Sequence, residues 1–128
     1  MAALLGKKDV LATVAVKDLA KARAFYENTL GLEPVESEEE GVQSYRAGSS
    51  TLLVYESAYA GTNKATAVTW PLGDDLDAAI RDLKAKGVTF ERYDMPGAKH
   101  DGDVHDFGKL RVAWFKDPDG NIFNLGNF

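Results

Sequence analysis

The sequence has no cysteine, so disulfides, thiolate catalysis and cysteine-bound zinc are all excluded. It also has no apolar run near the ~20 residues that a membrane span requires. The opening stretch MAALLGKKDV puts two lysines after a short apolar segment, which is the wrong order for a secretory signal. A cytoplasmic location and no membrane partner are the expectations. Basic residues are outnumbered, 15 Lys and Arg against 20 Asp and Glu, giving a net charge of −5 and no basic stripe for phosphates. Nucleic acid is therefore not an expected partner. What is present is ordinary globular material: 128 residues, 45% hydrophobic and 27% charged, enough for one core and one domain.

The most informative feature is a plan that occurs twice. The stretches VLATVAVKDLAKARAFYENTLGLEPV and ATAVTWPLGDDLDAAIRDLKAKGVTFE each begin with a β-prone run, 10–16 and 67–72. Acidic residues suited to capping a helix follow. Leu19, Ala22 and Tyr26 fall at i, i+3 and i+7, and Leu76, Ala79, Ile80 and Leu83 at i, i+3, i+4 and i+7, so both helices have one apolar face. Gly31 and Gly87 stand where each helix should stop. Half one continues through GVQSYRAGSSTLLVYES, and half two through KLRVAWFKDPDGNIFNLGN, each with two β-prone runs around a turn. The repeated unit is strand, helix, then three strands, with modules at about 8–58 and 65–128.

In VKDLAKARAFYENTLGLEPV and AWFKDPDGNIFNL, and in the duplication, the chain resembles the vicinal oxygen chelate superfamily of glyoxalases, bleomycin resistance proteins, fosfomycin-resistance proteins and extradiol dioxygenases. The resemblance implies an α+β fold of two βαβββ modules, a curled mixed sheet around a cavity that a second subunit of a homodimer often completes. In metal-dependent members the cavity holds a divalent cation on His, Glu or Gln side chains from the first and last strand of each module. Carried over position by position, those ligands fall on Leu11, Val54, Ala67 and Asn124. Together they offer one neutral amide oxygen, no substitute for the charged or imidazole donors such a cation needs. The expectation is no metal and no cofactor.

With those positions taken as the inward register, period-two alternation sketches the lining. Leu11, Thr13 and Ala15 face in from the first strand, and Leu52, Val54 and Glu56 from the first hairpin. Ala67 and Thr69 follow from the fifth strand, and Ile122 and Asn124 from the last. Tyr45 and one of Trp114 and Phe115 add an aromatic wall. Glu56 is the candidate base or polar anchor. His100 and His105 lie with three aspartates in GAKHDGDVHDFGKL, a stretch expected to be a long loop over 97–109; the spacing suits solvated polar residues better than a cation site. Val104, His105 and Phe107 are candidates for a lid over the cavity mouth. Asp117 and Asp119 read as turn residues, and the run Glu36, Glu38, Glu39 and Glu40 as a solvated edge. An apolar pocket with few titrating groups suits a protein that sequesters a small organic molecule. The alternative is a metal-independent lyase, cyclase or isomerase that uses Glu56 as base and Asn124 or a tyrosine to steady an enolate.

Overall fold

The computed structural model describes residues 4–36 and 40–128. Glu38 and Glu39 of the acidic run lie outside the described residues. Strand β1 (Ala12–Val16) leads into α1 (Leu19–Arg23), whose first turn is held by two carboxylates. Asp18 accepts the Lys21 N–H at 3.3 Å, and Glu56 accepts the Leu19 N–H at 3.1 Å. The helix then widens to π-type turns over Ala24–Thr29 and ends at Gly31, which has a φ of 71°. Leu19, Ala22 and Tyr26 are all buried, as their spacing predicts. Strands β2 (Glu33–Val35), β3 (Val42–Ala47) and β4 (Ser50–Glu56) complete the first module. The second repeats the plan with β5 (Thr66–Pro71) and α2 (Leu76–Ala85), then β6 (Phe90–Glu91), β7 (Lys99–Asp101), β8 (Val104–Asp106), β9 (Arg111–Lys116) and β10 (Ile122–Gly126). Leu76, Ile80 and Leu83 form the buried stripe of α2.

The fold is α+β, with one mixed sheet in each module. The first sheet runs β1-β4-β3-β2 and the second β5-β10-β9-β8-β7, with β6 on the same edge of β9 as β8. Within each sheet one pair is parallel, β1 with β4 and β5 with β10. The helices cover one face of each sheet and fuse both modules into one core. Tyr26 stacks on Tyr45 at 5.8 Å and meets Phe123 of the second sheet edge-on at 6.2 Å.

The turn from Asp117 to Asn121 is the second seam between the modules. The buried Asp117 carboxylate accepts from the Tyr26 hydroxyl at 2.6 Å, from the Asn121 side chain and backbone N–H at 2.8 Å each, and from the Asp119 N–H at 3.0 Å. Asn121 also donates to the Ala15 carbonyl of β1 at 2.7 Å. Burial and the adjacent Asp117 push the Tyr26 phenol far above its ordinary pKa, so it stays a donor. Gly61, at φ 74°, lets the loop after β4 touch the Asp119 carbonyl, which leaves no room for a Cβ.

The segment expected to be a long loop is instead the β7–β8 hairpin, turning at Gly102 with φ 62°. Val104 packs into the core and His105 is fully buried, so these residues are sheet rather than lid.

Candidate functional site

Each sheet has one face packed on helices and one that the chain leaves open. On the first sheet β1 and β4 pair with Val14 opposite Val54 and Thr13 opposite Leu53. Val14, Val54, Leu52 and Tyr45 are core residues, so the open face carries Thr13, Ala15, Leu53 and Tyr55. The sketched lining therefore needs correction on β4. Leu52 and Val54 point into the helix-covered core, and the strand is shifted by one residue relative to β1. Tyr45 is buried with them; its hydroxyl donates to Glu27 at 2.8 Å, and burial together with that carboxylate raises its pKa. Glu56 is occupied at the start of α1. Leu11 precedes β1 and is exposed.

On the second sheet the open face holds more chemistry. Register places Trp114 opposite both Asn124 and Glu91, Thr69 opposite Asn124, and His105 opposite Val112, while Phe115, Phe123 and Leu125 face the core. A bulge between Ile122 and Phe123 leaves Ala67 without a partner and brings Thr66 to this face, where its hydroxyl accepts the Trp114 indole N–H at 3.1 Å. Asn124 is buried and donates to the Ala113 carbonyl at 3.2 Å. Of the sequence-derived candidates, Thr69, His105, Trp114 and Asn124 thus share one face. Thr13 lies on the open face of the other sheet, and Phe107 is half-buried just after β8.

Beside Trp114 a cleft of about 770 Å³ opens, lined by Trp114, Tyr93, Met95 and Ile122 and by Thr66, Asn63, Lys64, Asp94 and Lys116. Lys116 pairs with Glu91 at 3.5 Å, and the lining carries mixed charge. Tyr93 and Met95 went unnoticed in the sequence, because the segment after β6 has no periodicity to mark a face. Tyr93 meets Trp114 edge-on at 5.4 Å, and its hydroxyl is buried without a partner. Burial, then the Glu91 charge, raises its pKa. His105 sits behind Trp114 with ring centres 4.9 Å apart, and desolvation and then the nearby His100 hold its pKa below the ordinary value.

The donor set does not fit a divalent cation. Leu11, Ala67 and Val54 have no donor atom, Leu53 on the open face of β4 has none either, and Asn124 offers an amide. Among the described residues no three His, Cys, Asp or Glu side chains are grouped to hold a metal. Also among them, no helix is long and apolar enough to cross a membrane.

Residues 10–125 match the model of the Glyoxalase/Bleomycin resistance protein/Dioxygenase superfamily. The chain belongs to that superfamily. Solved structures share its fold at low identity. An integron cassette protein from the mobile metagenome of the Halifax Harbour sewage outfall has a TM-score of 0.70 at 18% identity, over 95% of this chain and 99% of that one. Lactoylglutathione lyase from Agrobacterium tumefaciens gives 0.67 at 19%, over 93% and 92% of the two chains. The fosfomycin resistance protein FosX from Listeria monocytogenes gives 0.70 at 20%, over 94% and 90%. A further crystal structure of FosX is a complex with Mn(II) and sulfate, at 20% identity. No functionally curated protein matches the chain. Within the superfamily, then, this chain keeps the two-module scaffold.

Proposed function

We propose that the protein is a metal-independent, cytoplasmic binding protein that sequesters a small apolar or aromatic molecule, as in bleomycin-type drug resistance. The observation that carries the reading is the cleft itself: an aromatic pair, Trp114 and Tyr93, extended by Met95 and Ile122, on a face with no metal-ligating set. Its volume falls in the range of small-molecule sites, and its lining joins those side chains to polar and charged ones. The enzymatic alternative is weakened by Glu56, whose carboxylate holds the first turn of α1 and so is not free as a base. A homodimer belongs to the same reading, because Ala15, Leu53 and Tyr55 make an open face that a second copy would cover. Nucleic acid and membranes have no place in it.

The test begins with a thermal-shift screen of small aromatic compounds. A hit is then titrated calorimetrically into the parent protein and into Ile122→Trp, with products analysed under ligand excess. Sequestration predicts one equivalent per chain, recovered unchanged, and loss of binding in the variant at a stability cost of ~1–3 kcal/mol. Multiple turnovers would replace the reading with an enzyme, and full binding by Ile122→Trp would move the site elsewhere.

A further inference from the structure

The chain's two histidines grip one residue from both sides. The Tyr93 N–H donates to His105 Nε2 at 2.9 Å, and His100 Nε2 donates to the Tyr93 carbonyl at 3.0 Å. Their rings meet edge-on with centres 4.9 Å apart. His100 is on β7, His105 on β8, and Tyr93 is in the segment that walls the cleft. We propose that His105 is an acid-sensitive latch: neutral, it pins the Tyr93 wall of the cleft to the β7–β8 hairpin, and protonation at Nε2 releases that wall.

A backbone N–H can only donate, so His105 Nε2 must present its lone pair and the ring proton must sit on Nδ1. Nδ1 is buried without a partner, so the ring's one hydrogen bond is the one from the Tyr93 N–H, which a proton at Nε2 removes. Adding a proton at Nε2 would set two N–H groups against each other at 2.9 Å. No carboxylate offsets the new charge. The nearby charges acting on His105, His100 from β7 and Arg92 from the segment after β6, both disfavour its cation and, with desolvation, outweigh the backbone of Val112 and Tyr93, which favours it. Of the acids on the hairpin, Asp103 is paired with Lys84 at 2.7 Å and Asp101 with Arg111 of β9 at 3.4 Å. Arg111 is also paired with Asp77 of α2 at 3.2 Å, and Asp106 caps the Gly108 N–H at 2.7 Å. Trp114 contributes only its ring face or edge, and Tyr93 stays neutral.

The latched pKa of His105 is lowered, so the released state binds the proton more tightly. The latch is at full strength above the ordinary histidine value, about 6.5, and weakens as pH falls from there toward the latched pKa. Within that interval the release equilibrium rises about tenfold per pH unit, the slope of one proton. The latch rests on the chain's own hydrogen bonds and does not depend on the identity of the cleft's ligand.

The experiment is NMR on the full-length protein with 15N-labelled histidine and backbone. At pH 8 His105 is expected as the neutral Nδ1–H tautomer. As the pH is lowered below about 6.5, the Tyr93 amide protection factor should fall about tenfold per unit while amides of the first sheet stay protected. His105→Gln supplies an acceptor that does not titrate, and Tyr93 protection in it should be flat with pH. An Nε2–H tautomer at pH 8, His105 titrating at or above about 6.5, or a fall in Tyr93 protection that persists in His105→Gln would overturn the proposal. The tautomer and the parent titration decide the matter even where the variant does not fold.

Discussion

Replacing Asp117 by asparagine changes one atom, and the structure makes the consequence large. The carboxylate Oδ1 accepts the Asp119 and Asn121 N–H groups, and Oδ2 accepts the Tyr26 hydroxyl at 2.6 Å and the Asn121 amide at 2.8 Å. An asparagine in the same place satisfies the first pair with its carbonyl but turns an NH2 toward the second. Tyr26 can rotate its hydroxyl to accept. Asn121 cannot, because its Nδ2 also serves the Ala15 carbonyl, so one donor-to-donor contact stays buried at the module seam. Two charge-assisted bonds are lost or inverted in a site where Asp117 is 4% and Tyr26 0% exposed. The expected loss is roughly 3–4 kcal/mol, against ~1.5–3 kcal/mol for Tyr26→Phe, which leaves three donors on the carboxylate. Urea unfolding followed by far-UV circular dichroism and tryptophan emission measures both variants. The melting temperature should drop by roughly 10–15 °C for Asp117→Asn. A loss under about 1 kcal/mol, or a larger loss for Tyr26→Phe than for Asp117→Asn, would refute this account of the turn.

Three further outcomes are expected. Glu56→Gln keeps an acceptor for the Leu19 N–H but removes charge from the start of α1, so it should cost ~0.3–1 kcal/mol in stability and leave ligand affinity unchanged; a large affinity or turnover effect would return Glu56 to the site. Gly61→Ala forces a Cβ onto the Asp119 carbonyl at a positive φ and should destabilise by more than the ~1 kcal/mol typical of a glycine substitution, read by thermal unfolding. A chelator should not lower the melting temperature, and elemental analysis should find no stoichiometric transition metal, since Leu11, Leu53, Ala67 and Asn124 cannot couple a cation to folding.

The sequence made the two-module scaffold readable because both helices carry their apolar residues at one period and both end on glycine. The β4 register was not readable in the same way. In TLLVYES both alternate sets, Leu52 with Val54 and Leu53 with Tyr55, suit a buried face, so period two cannot choose between them; the pairing with β1 does. The β7–β8 hairpin hid because its strands are polar and three residues long, although Asp-Gly at 101–102 is itself a strong hairpin signal. The bulge that brings Thr66 to Trp114 leaves no trace in residue type. The bond from Tyr26 to Asp117 joins residues 91 apart, which no local pattern reports.

That separation has a consequence for the time course of folding. A contact between residues 91 positions apart closes a loop of most of the chain, and the entropy of that closure must be met before the bond returns anything. The local hairpins and helices of each module need no such closure, so the seam belongs on the native side of the folding barrier. Tyr26→Phe should therefore leave the refolding arm of a chevron plot nearly in place and raise the unfolding arm by most of the lost stability. The Tyr26–Asp117 seam would then set how long the folded chain lasts rather than how quickly it forms.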